Sequence, residues 1–199
     1  MKKELYGILF FFLIVLTAVS LASYHISDPC VGNNFFTIPD HIHNAFGLLG
    51  AHLSGFFIFL FGLGAFWIPV ILGFISVWLL KGRQLKIIWL TLLGGFFLMI
   101  CTGGIFFLFK DDYPVLSTII SSGGVMGIAA TSFLLKYANI TGCIIILMFF
   151  LIIGLILATG ISVISLGVFL RQKMIKVLKI MREDFQDGIE FCNEKYKKW

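Results

Sequence analysis

The residues best suited to chemistry lie in one polar stretch of the chain, residues 25–52. It contains all four histidines together with a cysteine and two aspartates: His25, Asp28, Cys30, Asp40, His41, His43 and His52. Imidazole, thiolate and carboxylate groups are the usual protein ligands of zinc and related metals. A metal site is therefore the sharpest hypothesis for this stretch.

The spacing of these side chains favours a different role. His41 and His43 are two residues apart and would share a face only on a strand, and rings at the ends of the stretch suit the edge of a membrane. The sequence Ser27-Asp28-Pro29 is typical of a turn, because Pro29 keeps Asp28 out of the helical conformation. We therefore predict interfacial and capping roles with no metal or cofactor, and metal binding is the alternative.

Motifs for catalysis and nucleotide binding are missing from the sequence. Residues 121–127 are rich in serine and glycine but lack the lysine of a phosphate-binding loop, and neither HExxH nor GxSxG occurs. The long apolar stretches also lack the charges that mark proton relays and ion pathways. We therefore predict no catalytic residue, no ATP hydrolysis by this chain and no coupled transport.

Composition identifies the class of protein in which these residues must be positioned. Of 199 residues, 59% are hydrophobic and 13% are charged, and the mean hydropathy is +1.03. Four uncharged apolar stretches, each long enough to cross a bilayer as a helix, lie at about 5–24, 53–80, 87–109 and 140–170. The sequence thus predicts an all-α integral membrane protein with four transmembrane helices, the second of them kinked at Pro69.

The distribution of basic residues predicts the topology. With four crossings and the N-terminus inside, every lysine and arginine except Lys110 and Lys136 falls on the inner side, as the positive-inside rule requires. Both termini are then cytoplasmic, and residues 25–52 and 110–139 form outer segments. Within the second of these, small residues repeat every fourth position and suggest a short interfacial helix packed on the bundle, with a glycine-rich loop as the alternative. Cleavage of the first span as a signal peptide is a further alternative.

Residues 171–199 differ sharply from the rest of the chain. Apolar positions spaced three and four apart predict an amphipathic helix. Its first half carries five basic residues that would face an anionic membrane surface: Arg171, Lys173, Lys176, Lys179 and Arg182. Docking on the membrane is the favoured interpretation, with a coiled-coil seam or contact with nucleic acid as alternatives.

Three motifs occur in order along the apolar part of the chain. The end of the first span reads SYxxxDP and includes Ser23, Tyr24, Ser27, Asp28 and Pro29. The entry to the second reads N-x-x-G-x-x-G-A and then L-F-G-x-x-A-x-x-x-P, with Asn44, Gly47, Gly50, Gly62 and Pro69. The approach to the last reads G-G-x-x-G with a later glycine, and its residues are Gly123, Gly124, Gly127 and Gly142. Over roughly residues 4–170 these motifs resemble the N-terminal membrane domain of the FtsK/SpoIIIE DNA translocases.

The resemblance implies a function that the residues alone do not. It implies a bacterial inner-membrane domain that anchors and oligomerises a translocase at the division septum and couples division to chromosome segregation. Its expected partners are the lipid bilayer, further copies of the chain and other division proteins, with DNA reached only through a motor that this chain lacks. The alternatives are a small channel or transporter subunit and an outer-face sensor or metal-binding membrane protein.

Overall fold

The computed structural model describes residues 2–30, 41–82, 85–115 and 118–160 of the chain. The elements within these ranges are, in chain order, α1 (Lys2–Ala22), α2 (Gly47–Phe61), a 3₁₀ segment (Gly62–Phe66), α3 (Trp67–Leu80), α4 (Leu85–Phe109), β1 (Asp112–Val115), β2 (Thr118–Ser121), α5 (Gly124–Tyr137) and α6 (Ile140–Thr159). The predicted amphipathic helix over 171–199 and its basic residues lie outside the described residues.

Within the described ranges, three helical stretches are long and apolar enough to cross a membrane, namely Gly47–Leu80, Lys86–Phe109 and Ile140–Thr159. Helix α1 has 21 residues, which at 1.5 Å per residue gives about 31 Å, close to the thickness of a hydrocarbon core. Helix α5 has 14 residues and reaches only about 21 Å. The helical architecture and its apolar composition agree with the predicted class of fold.

The second predicted span is two helices rather than one. Helix α2 begins at Gly47, six positions before the predicted start at 53, and a 3₁₀ segment separates it from α3. The prediction that Pro69 kinks a continuous helix is wrong. Pro69 is the third residue of α3, and the first turn of a helix tolerates proline. The helix changes its geometry earlier, at Gly62, whose φ of +56° favours glycine.

The last predicted span, 140–170, extends past helix α6 into residues 161–170, which lie outside the described residues. Helix α6 ends at Thr159, and Gly160 follows in the left-handed conformation with its N–H donating to the Ile156 carbonyl at 2.9 Å. Glycine commonly ends helices in this way because it has no Cβ to oppose a positive φ. The apolar composition continues past Gly160, and composition alone therefore gave no sign of this helix end.

The segment between the third and fourth predicted spans contains a hairpin and a helix. The strands β1 and β2 pair antiparallel, with Asp112 opposite Ser121, and the hairpin is the one departure from the all-α prediction within the described residues. The short helix that the small residues suggested is confirmed as α5, and the loop alternative is wrong. Gly127 of α5 lies against the backbone of Gly103 and Gly104 in α4, where a Cβ would make tight contacts of 3.0–3.4 Å.

Helix α4 packs against α3, α5 and α6, and glycines make this possible. A Cβ at Gly94 would collide with the backbone of α6 at Gly154 and Ala158, and a Cβ at Gly95 would collide with Ile71 of α3. Close approach of helix backbones gains dispersion contacts where lipid supplies no hydrophobic drive. The fold therefore rests on small residues along α4.

Replacing Gly94 with Ala should push α6 away from α4. Overpacking of this kind typically costs about 1–3 kcal/mol of unfolding free energy, and thermal unfolding followed by circular dichroism in detergent should show a lowered midpoint. Gly7→Ala is the control, because its Cβ would meet Leu80 at an ordinary distance of 3.4 Å. Equal midpoints for the two variants would contradict this account of the α4–α6 contact.

Candidate functional site at the α1–α2 junction

Asp28 is the centre of a polar network at the end of α1. Its side chain is 2% exposed, and both carboxylate oxygens accept backbone hydrogen bonds from the segment that leads into α2. Oδ1 accepts from the His43 N–H and Oδ2 from the Asn44 N–H, each at 2.9 Å. Paired contacts of this kind to a carboxylate fix one backbone segment against another. Asp28 thus holds the segment that precedes α2, whose N-cap residue, Phe46, has no side-chain capping bond.

Asn44 continues the network into both helices. Its side-chain amide donates to the Ser20 carbonyl at 2.8 Å and to Ser54 Oγ at 3.3 Å, so it joins α1 to α2. Its Oδ1 accepts from the Phe46 N–H at 3.1 Å. The close position of this oxygen requires glycine at 50, because a Cβ at Gly50 would overlap it. We call Ser20, Ser23, Asp28, Asn44 and Ser54 the Asp28 network.

Ser23 supplies the remaining link of the network. Its hydroxyl accepts from the Ala45 N–H at 3.0 Å and donates to the Val19 carbonyl at 2.7 Å. Sequence reasoning missed Ser20 and Ser54, since both lie inside predicted spans. Ser20 contributes only its backbone carbonyl, which no side-chain pattern reveals, and a hydroxyl such as that of Ser54 commonly bonds its own helix. Ser54 does so, donating to the Gly50 carbonyl at 2.7 Å, and its four-residue spacing from Gly50 was the available signal.

The imidazoles of His25 and His43 lie beside the network. Their rings stack with centroids 4.3 Å apart, and His43 Nδ1 lies 3.1 Å from Asp28 Oδ1. Ser27 Oγ is 2.6 Å from His25 Nδ1 and 3.4 Å from His43 Nδ1. Ligand atoms of His25, Asp28 and His43 all lie within 4.8 Å of one another. The side chain of His41, which spacing alone would pair with His43, is not part of this group.

The second and third motifs meet at a separate backbone crossing. The Leu63 N–H donates to the Ser122 carbonyl at 3.0 Å, and a Cβ at Gly62 would collide with that carbonyl and with the backbone nitrogen of Gly124. Gly62 and Gly124 both have φ near +56°, at 56° and 55°. Gly123 lies beside them, with its carbonyl against Gly103 of α4. Residues of two motifs are thus joined here by main-chain contact.

An open cavity of about 550 Å³ lies between this crossing and the end of α1. Its lining includes Tyr24, Cys30, Phe59, Ile119 and Val125. Burial, then the nearby Cys30 thiol and Asp28 carboxylate, raise the pKa of Tyr24 to about 12. The phenol therefore remains protonated in any physiological medium and keeps its hydrogen to donate. Cys30 packs so closely that a Cβ at Gly55 would overlap it.

The remaining predicted residues lie in several places. Pro29 is buried beside Asp28, and Gly47 begins α2 with a φ of +58°. Pro69, in α3, and Gly142, in the first turn of α6, belong to neither contact region. The structure therefore joins the first motif to the second through Ser23, Asp28 and Asn44 of the Asp28 network, and the second to the third at Gly62.

Comparison with known proteins agrees with the motif pattern. Residues 1–170 match the family model described as the 4TM region of DNA translocase FtsK/SpoIIIE. The chain is 31% identical over 179 residues to a protein named DNA translocase FtsK from Vibrio parahaemolyticus serotype O3:K6 (strain RIMD 2210633). That alignment covers 86% of this chain and 17% of the Vibrio protein, so the chain spans about a sixth of its relative. No solved structure matches the chain.

Proposed function

The chain belongs to the family of the 4TM region of the DNA translocases FtsK and SpoIIIE, and from this premise we propose that it anchors, oligomerises and positions such a translocase at the division septum. In this role it couples cell division to chromosome segregation. The observation that carries the proposal is the family match over residues 1–170. Membrane association follows from the same match and from the long apolar helices.

The proposed topology has four crossings of the bacterial inner membrane with both termini in the cytoplasm. Three long apolar helices and the 21-residue α1 support four crossings, and the short α5 supports an interfacial segment at 110–139. The charge distribution supports the orientation with both termini in the cytoplasm. In that orientation Lys110 and Lys136 are the only basic residues of the sequence on the outer side.

The match is to the membrane region and not to an ATPase motor. This domain is non-catalytic, and we propose that DNA is reached only through a motor that these residues do not form. The basic residues 171–182 would then dock on the inner leaflet and lead toward that motor. The proposed protein partners are further copies of this chain and other division proteins.

The Asp28 network gives this proposal a structural basis. Contact with septal partners requires that the outer segments keep one shape, and loops keep a shape when a rigid scaffold positions them. Asp28 and Asn44 tie residues 43–46 to both α1 and α2. Outer segment 25–52 is thereby held at its two ends, and the crossing at Gly62 holds the second outer segment beside it.

A C-terminal fusion to a fluorescent protein that matures only in the cytoplasm tests location and topology together. Expressed in dividing bacteria, it should fluoresce and concentrate in a band at midcell. A second, epitope-tagged copy should be recovered with it from detergent extracts if the chain oligomerises. The control is the same reporter on an unrelated multi-pass inner-membrane protein, which should label the cell outline evenly.

Two results would contradict the proposal. Fluorescence of the fusion spread evenly around the cell outline, as in the control, would contradict the septal role. Saturable solute flux through proteoliposomes containing the purified chain would instead favour a channel or transporter subunit. A dark fusion that is present at normal amount would contradict the cytoplasmic C-terminus while leaving the septal band to be tested by immunofluorescence.

A further inference from the structure

The geometry beside the Asp28 network points to a function beyond membrane anchoring. We propose that His25, Asp28 and His43 form a binding site for a divalent transition metal ion, and that zinc is the ion best suited to it. Two imidazoles and one carboxylate are a common ligand set for zinc, with a fourth position left to water or to a nearby hydroxyl. Ser27 Oγ is such a hydroxyl, 2.6 Å from His25 Nδ1.

The distances in the cluster are close to those that a metal requires. The three ligand atoms lie within 4.8 Å of one another, whereas a tetrahedral ion about 2.1 Å from each ligand needs them about 3.4 Å apart. One distance is already shorter, the 3.1 Å between His43 Nδ1 and Asp28 Oδ1. A movement of about 1 Å by the imidazole rings would complete the site, which is within the range of a small χ rotation.

Asp28 is already oriented as a metal ligand. Its side chain is 2% exposed, and backbone N–H groups of His43 and Asn44 hold its two oxygens. A carboxylate offers about four lone-pair positions, so these bonds leave capacity on Oδ1 for a metal. Hydrogen bonds of this kind to a ligand fix its direction, which is how outer residues strengthen metal sites.

The side chains of the two histidines are less enclosed than that of Asp28 and can shift toward an ion. The His43 side chain is 53% exposed and His25 is half-buried, so an ion has access from solvent. Their rings stack face to face at 4.3 Å with 23° between planes, which brings both Nδ1 atoms to the same hydroxyl of Ser27. Nitrogen atoms of both imidazoles therefore already converge on one point beside the carboxylate.

Metal binding would cross-link the end of α1 to the segment that enters α2. His25 and Asp28 lie on the first side of the intervening stretch, and His43 lies 15 residues beyond Asp28. An ion that binds only the folded arrangement stabilises it by mass action. Spacing along the chain paired His43 with its near neighbour His41, whereas the histidine beside His43 in the structure is His25.

Zinc titration calorimetry on the full chain in detergent tests the site. The protein should carry an epitope tag without histidines and be dialysed against chelator before zinc chloride is added. We expect saturable binding of one ion per chain and a raised thermal midpoint with zinc present. His25→Ala and His43→Ala should each weaken zinc binding at least about tenfold. His41→Ala, an exposed histidine outside the cluster, should leave the affinity unchanged.

Each alternative outcome overturns the proposal. No saturable zinc binding by the wild-type chain would do so, as would equal loss of affinity in the His41 variant, which would indicate adventitious capture by exposed histidines. Circular dichroism shows whether each variant is folded, and His43→Gln replaces His43→Ala if the latter is not. X-ray absorption at the zinc edge should show two imidazoles and oxygen ligands, and a spectrum without imidazole scattering would contradict the assigned ligands.

Discussion

Replacing Asp28 with Ala should lower the free energy of unfolding by about 3 kcal/mol, one of the two largest effects we expect from any single substitution in this chain. The carboxylate accepts the backbone N–H groups of His43 and Asn44 at 2.9 Å each. Removing it leaves these donors without their acceptors, and the Asn44 amide is buried. A buried donor that loses its partner keeps the full cost of its lost hydration.

The chain offers a sensitive way to measure this effect. The side chains of Cys30, Cys101 and Cys143 are buried, so a thiol-reactive dye should label them only as the protein unfolds. Cys192, outside the described residues, is replaced by Ser in every variant to remove background labelling. The labelling midpoint on heating should fall for Asp28→Ala and stay unchanged for Asp111→Ala, whose side chain is exposed.

Asp28→Asn separates the hydrogen bonds from the size of the side chain. An asparagine keeps one carbonyl acceptor but turns its NH₂ group toward the other backbone N–H. We expect a midpoint between those of the wild type and Asp28→Ala. A wild-type midpoint for both Asp28 variants would show that the Asp28 network contributes nothing to stability.

Composition predicted where an apolar helix begins and ends better than it predicted breaks within an apolar stretch. Helix α4 begins at Leu85 and ends at Phe109, within two residues of the predicted 87–109, because charged residues end the apolar stretch at both sides. The break at Gly62–Phe66 lies inside an uninterrupted apolar stretch, so no local signal of polarity marks it. Its cause is tertiary, since Gly62 meets the carbonyls of Ser121 and Ser122 from a distant part of the chain.

Motif resemblance located the site residues but not their contacts. It singled out Asp28 in one motif and Asn44 in another, and the structure shows that one binds the backbone of the other. The Ser20 carbonyl and the Ser54 hydroxyl complete the network. Both residues lie in apolar helices, where a sequence gives no reason to separate them from ordinary packing. The hairpin was missed because each strand has only four residues, too few for a clear alternating pattern.

Gly62→Ala should be at least as damaging as the loss of Asp28. Gly62 has φ 56° and ψ −132°, a backbone conformation that an L side chain rarely adopts, and its Cβ would collide with the carbonyls of Ser121 and Ser122. Strain and overpacking each cost about 1–3 kcal/mol, so we expect a loss of about 4 kcal/mol in unfolding free energy. The dye-labelling midpoint and the amount of protein in membranes should both fall.

Gly73→Ala is the matched control for this substitution. Gly73 lies in the helix that follows the break, and nothing is within 4 Å of the position its Cβ would take. Alanine in a helix interior is favoured over glycine by about 0.5–1 kcal/mol, so this variant should be as stable as the wild type or slightly more so. If Gly62→Ala had the same unfolding midpoint as Gly73→Ala, the close contact between the 3₁₀ segment and the hairpin would not require glycine at position 62. Residues 43–46 would still be held by the Asp28 network, and the contacts between Gly62 and the hairpin would contribute nothing to stability.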